Sequence, residues 1–110
     1  MILVYIAGPY SSDPVANTRR ACVAGNVLRD HGIAVIVPHL SLLADLLHPR
    51  PYEDYLAEDL ELVRRCDAVY RLAGESSGAD REVEHADANG IPVFLEEAWT
   101  PQGLAERIVS

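Results

Sequence analysis

The chain has no lysine. All nine of its basic residues other than histidine are arginine, which excludes Schiff-base chemistry and a phosphate-loop lysine. Glycine-rich signatures are missing as well. The turn after the first apolar run reads Gly8-Pro9-Tyr10-Ser11-Ser12, not Gly-x-Gly-x-x-Gly, which argues against a Rossmann dinucleotide site. No Gly-x-Ser-x-Gly elbow of a serine hydrolase occurs. The two cysteines, Cys22 and Cys66, form no CxxC pair and read as small buried hydrophobes in a reducing compartment. No apolar run approaches membrane length, and the opening Met-Ile-Leu-Val lacks a signal peptide's basic flank and cleavage region. The expectation is a cytoplasmic protein with no membrane partner. A basic stripe is also absent: the formal net charge is -8, so a nucleic acid polymer is not an expected partner. His39, His48 and Asp45 match no common zinc spacing. No metal and no cofactor are expected.

What is present is an ordinary globular composition, 49% apolar and 24% charged over 110 residues. That length suits one domain, spanning residues 1–110. Residues 2–7 form an apolar run too short for a helix and closed by Gly8-Pro9, and they read as a buried strand. Asp13 can cap a helix with Pro14 at its first position. That helix carries Ala21, Ala24, Val27 and Leu28 on one face and ends near His31-Gly32. Residues 33–37 give a second buried strand, stopped by Pro38. The stretch 39–51 is apolar but irregular and reads as a wall or lid. Residues 52–65 repeat Leu56, Leu60 and Val63 at helical spacing. A strand at 68–72, a helix at 78–89, a strand at 92–95 and a helix at 104–109 follow. Strands alternate with helices four times and read as mostly buried on both faces. This predicts an α/β fold: a doubly wound, Rossmann- or flavodoxin-like parallel sheet of four to five strands flanked by helices. A flavodoxin-like redox or phospho-acceptor module is disfavoured, because it wants an acidic cluster after the first strand and a lysine later.

The most informative stretch is Ser76-Ser77-Gly78-Ala79-Asp80-Arg81-Glu82. Small residues let the chain turn out of a strand, and Glu82 falls in the first turn of a helix starting at Gly78, beside its positive dipole end. In an α/β sheet that junction lies over the carboxyl edge, where ligands bind. Tyr5 and His39 lie in or just after other strands on the same predicted edge. Each signal alone fits a bland role. Glu82 could merely compensate a helix dipole, Tyr5 could be a core aromatic, and His39 a partly buried loop residue. Asp59, one position before Leu60, fits a solvated helix face. The convergence of Tyr5, His39 and Glu82 at one edge favours a site.

Three blocks carry a resemblance. They are Val4-Tyr5-Ile6-Ala7-Gly8-Pro9-Tyr10-Ser11-Ser12-Asp13, then Asp59-Leu60 with Cys66-Asp67-Ala68-Val69, and Ser76-x-Gly78-x-x-x-Glu82. In order and spacing, over roughly residues 2–95, the chain resembles the nucleoside 2-deoxyribosyltransferase superfamily. That superfamily also includes 2'-deoxynucleoside 5'-monophosphate N-glycosidases and CMP hydrolases. The resemblance implies Glu82 as the nucleophile on the anomeric carbon and Tyr5 as the phenol that holds it. It implies Asp59 as the acid that protonates or orients the leaving base, and His39 as a base contact. Gly8, Pro9, Tyr10, Ser11, Ser12, Ser76 and Gly78 would complete the substrate site. The expected partner is a small nucleoside or nucleotide. A homodimer or higher homo-oligomer is also implied, although the residue a neighbouring subunit supplies in that superfamily has no match here.

The chemistry is sound for N-glycosidic bonds. A carboxylate stabilises an oxocarbenium-like centre and can trap the sugar, while a protonated acid relieves charge on the leaving base. Six residues before the nucleophile the transferases tend to carry an aspartate, and the nucleotide hydrolases a serine; here it is Ser76. A carboxylate ~4 Å from a phosphate costs on the order of 1–4 kcal/mol, whereas a serine donates a hydrogen bond. The sequence therefore leans slightly toward a nucleotide substrate, against a first loop that is closer to the transferases and lacks an arginine and against Glu75 and Asp80, which crowd the same turn. The alternative from another class is a non-catalytic nucleotide sensor on the same scaffold.

Overall fold

The central strands arise from runs whose alternate side chains are claimed by two separate cores. In the computed structural model, which describes residues 1–109, strand β1 (Leu3–Ala7) sends Val4 and Ile6 into one apolar cluster and Tyr5 and Ala7 into the other. The period of two along a strand produces this division. Strand β3 (Ala68–Arg71) behaves the same way, with Ala68 and Tyr70 in the first cluster and Val69 in the second. Between them come helix α1 (Pro14–Asp30), strand β2 (Ala34–Ile36), a 3-10 turn (Pro38–Leu40), and helices α2 (Ser41–Leu47) and α3 (Tyr52–Arg64). After β3 follow α4 (Ser77–Ala88), β4 (Val93–Leu95) and α5 (Pro101–Val109).

The four strands form a parallel sheet in the order β2-β1-β3-β4. Helices α1 and α5 cover one face through Ala21, Ala24, Leu28, Leu104 and Ala105; α3 and α4 cover the other through Val63, Ala79 and Ala86. The predicted α/β architecture is therefore the observed one, with four strands. The chain runs from β1 outward to β2, then returns to lay β3 on the other side of β1. The carboxyl ends of β1 and β3 thus flank the point where the order reverses, and a crevice opens there in folds of this kind.

Helix limits follow local chemistry. Asp13 caps α1 by accepting a hydrogen bond from the Ala16 amide at 3.2 Å, with Pro14 in the first turn. Ser76 caps α4, its hydroxyl accepting from the Ala79 amide at 3.1 Å. Two expectations need correction. The stretch 39–51 is not irregular: it holds the 3-10 turn and α2, a helix that buries none of its residues. Strands β2 and β4 are not buried on both faces; they form the edges of the sheet and remain partly exposed.

The two loops at the switch point touch at Gly74, whose φ of +120° is unfavourable for any side chain. A methyl there would also lie 2.9 Å from the Pro9 ring. At Gly32, by contrast, φ is +77° and the space is open. Gly74→Ala should therefore lower stability by about 2–3 kcal/mol and Gly32→Ala by about 1 kcal/mol. Urea unfolding of both variants, giving the same loss at each position, would contradict this account.

Candidate active site

The core of the site is a contact between two buried polar groups far apart in sequence. Tyr5, on β1, has no exposed surface, and Glu82, on α4, is 5% exposed. The Tyr5 hydroxyl donates a hydrogen bond to Glu82 Oε2. Glu82 reaches the sheet because Ala79, Glu82 and Ala86 line the buried stripe of α4. Its place in the helix differs from expectation. With Ser76 as cap, the helix begins at Ser77, Asp80 occupies the first turn, and Glu82 lies in the second. The dipole's benefit fades within the first turn, so Glu82 is governed by burial instead.

The electrostatics follow from that depth. Burial pushes the Glu82 carboxyl up to about 8; the Asp59 charge adds to this, while the Tyr5 hydrogen bond and the Arg71 charge oppose it. Burial, then the Glu82 and Asp59 charges and the hydrogen bond itself, hold the Tyr5 hydroxyl far above the usual tyrosine range. Tyr5 is thus a permanent donor. Asp59 is half-buried rather than on a solvated face, and burial followed by the Glu58 charge raises it to about 7. Two acids raised toward neutrality therefore share the site, and the Asp59 charge helps to raise Glu82.

Glu82 and Asp59 open onto a cleft of about 540 Å³, within the range of roughly 300–1,000 Å³ usual for small-molecule sites. The cleft also brings together Gly8, Tyr10, Ser11, Ser12, His39, Ser76 and Gly78 from the sequence reading. Tyr5 and Pro9 do not line it. Tyr5 stands behind Glu82, and Pro9 is buried with its carbonyl accepting from His39 Nε2 at 3.0 Å. Because a carbonyl only accepts, Nε2 carries the hydrogen, and the buried Nδ1 is left as an acceptor without a partner. Burial lowers the His39 pKa, so the ring is neutral. Tyr10 meets the same ring edge-on, with centroids 6.1 Å apart.

Sequence reasoning missed some of the lining. Tyr52, Tyr55 and Arg50 all border the cleft. A Cβ on residue 78 would stand 2.6 Å from the Tyr52 hydroxyl; the glycine lets that phenol reach the first turn of α4. A glycine just inside a helix start, where no turn demands one, was the available signal. Ser76, expected at the substrate site, caps α4 with its oxygen. Its hydroxyl proton stays available for donation. Among the described residues no group of three or more His, Cys, Asp or Glu gathers to hold a metal ion. Nor is any helix long and apolar enough to cross a membrane.

Comparison with known proteins supports the fold. Residues 2–95 match the family described as "Domain of unknown function (DUF4406)". A 2-deoxyribosyltransferase from the psychrotolerant bacterium Bacillus psychrosaccharolyticus, characterised as a biocatalyst for nucleoside synthesis, shares the architecture with a TM-score of 0.63. The similarity covers 84% of this chain and 70% of that one at 22% identity. No curated protein matches the chain. The resemblance read from three sequence blocks is thus borne out at the level of the fold.

A stability test follows from the raised Glu82 carboxyl. Its folded value of about 8 lies above the ordinary 4.5, so folding favours the protonated form. The associated stability is complete below about 4.5 and is lost as pH rises through about 8. Glu82→Gln keeps an acceptor for Tyr5 without a charge to bury. The variant should melt about 5 °C or more above the wild type at pH 8.5, with the gap closing at pH 5. Equal melting temperatures at both pH values would mean that Glu82 is not a destabilised buried acid.

Proposed function

The chain belongs to the DUF4406 family, and from its cleft we propose that it cleaves or transfers at the N-glycosidic bond of a 2'-deoxynucleoside 5'-monophosphate or nucleoside. The observation that carries this reading is the Tyr5–Glu82 hydrogen bond beside the half-buried Asp59 at one cleft. Ionised Glu82 attacks the anomeric carbon as the bond to the base breaks, giving a covalent glycosyl ester. Asp59, protonated near neutrality, delivers its proton to the departing base. Water or an acceptor base then displaces Glu82 from the anomeric carbon and passes a proton to the Asp59 carboxylate, giving the free sugar or a new nucleoside. Tyr5 orients the attacking carboxylate, because its hydroxyl proton engages one oxygen and leaves the other for carbon.

A nucleotide is favoured over a free nucleoside by the wall at α4. Ser76, Ser77 and the backbone at Gly78 line the cleft there, at a helix N-terminus, and Ser11 and Ser12 border it from the first loop. Hydroxyls and amides at a helix start suit a phosphate. Arg50 adds a cation to the same cleft.

The working form needs Glu82 ionised and Asp59 protonated, the reverse of the order of their midpoints near 8 and 7. Activity then depends on a minority species, and kcat/KM should peak between these values and fall on both sides. Incubation with nucleosides and 5'-monophosphates, with and without an acceptor base, tests the reading by chromatography. Free base alone means hydrolysis, and a swapped base means transfer. Glu82→Ala should release no base. Asp59→Asn should lose about 10²–10⁴-fold in rate together with the alkaline limb. Unchanged turnover in Glu82→Ala would remove the proposal, and calorimetric binding with no base release from wild type would favour the sensor.

A further inference from the structure

Strand β3 ends with a charge inside a run that otherwise supplies apolar side chains. Arg71 is 9% exposed, and its guanidinium makes three hydrogen bonds. Nη1 donates to the Leu72 carbonyl. Nη2 donates to the Gly74 carbonyl at 2.9 Å and to the Asp80 carboxylate at 3.1 Å. These acceptors lie at the start of the turn from β3 to α4, within it, and in the first turn of the helix. One planar fork therefore ties the segment that carries Ser76 and leads to Glu82.

The direction of the side chain follows from strand parity. Arg71 alternates with Tyr70 and so shares the face of Val69; across the ladder it stands beside Ala7, as Val69 stands beside Tyr5. That face is the one covered by α4. The groups acting on Glu82 from the surrounding elements are Tyr5 of β1, Asp59 and Tyr52 of α3, and Arg71 of β3. Arg71 is the sole cation among them.

We propose that Arg71 is a positioning residue for the Glu82 carboxylate: it fastens the turn into α4 and supplies the buried positive charge behind the attacking group. The inference rests on reading Glu82 as the nucleophile. A guanidinium that served only to stabilise the turn would leave the titration of Glu82 unmoved on replacement.

The test is the pH midpoint of the Glu82 side-chain carboxyl, followed by carbon-13 NMR in the intact protein. Arg71→Met should raise the midpoint by about one unit, and Arg71→Lys should leave it within about 0.3 unit of wild type. Because Glu82 sets the upper break of the profile, the alkaline limb of kcat/KM should move upward by the same amount, and activity at pH 7 should fall about tenfold in Arg71→Met. Should Arg71→Met fail to fold, Arg71→Gln, which still donates to the carbonyls, serves as the neutral variant. A wild-type midpoint in the folded neutral variant would overturn the inference. If the wild type releases no base from any substrate, the functional reading fails, while the midpoints still decide the role of Arg71.

Discussion

A phenol and a carboxylate, 77 positions apart, share one proton-bearing contact in the middle of the protein. Tyr5 has no exposed surface and Glu82 little, so each satisfies a polar demand of the other. The contact also fixes geometry. Tyr5 belongs to a central strand with neighbours on both sides, and Glu82 lies on the sheet-facing stripe of α4. Rotating that helix by one residue would turn the acid away from Tyr5 and bring Arg81 or Val83 to its place. The seating of α4 on the sheet is thereby tied to one hydrogen bond.

Around that contact, three loops are held at close quarters. His39 donates to the Pro9 carbonyl, Gly74 packs on the Pro9 ring, and Arg71 gathers the carbonyls on either side of Ala73. The cleft walls are therefore braced by backbone contacts rather than by large apolar side chains. Its acids are kept partly protonated by depth, in a chain whose formal charge is -8. A more exposed pair would ionise fully and serve less well as an acid and a nucleophile near neutrality. The site trades some folding stability for that tuning.

Much of the fold could be read directly because apolar runs are bounded by Gly and Pro, as at Gly8-Pro9 and Pro38. The region 38–51 could not. Helix α2 buries no residue, so its leucines carry no periodic stripe to report a helix. Glu82 lies in the second turn of α4, because the Ser76 cap starts the helix at Ser77, one residue before the start expected from Gly78. Asp59 was legible only through family resemblance, since its position on α3 looks solvated until the cleft is assembled. Arg71 hid within an apolar run, and nothing in spacing alone announces its three partners. Tyr52 owes its place to a glycine on another helix, and such pairings at a distance leave little local trace.

The long separation within the central pair also governs how the chain can be made. On the ribosome β1 emerges well before its neighbour β3, and the acceptor on α4 follows Tyr5 by 77 positions. Until then the nascent first strand carries unpaired amides along one side and a phenol with no acceptor. Closing such non-local contacts is slow, and exposed strand edges in partly made chains invite aggregation. Assembly of the cleft consequently waits until α4 has emerged.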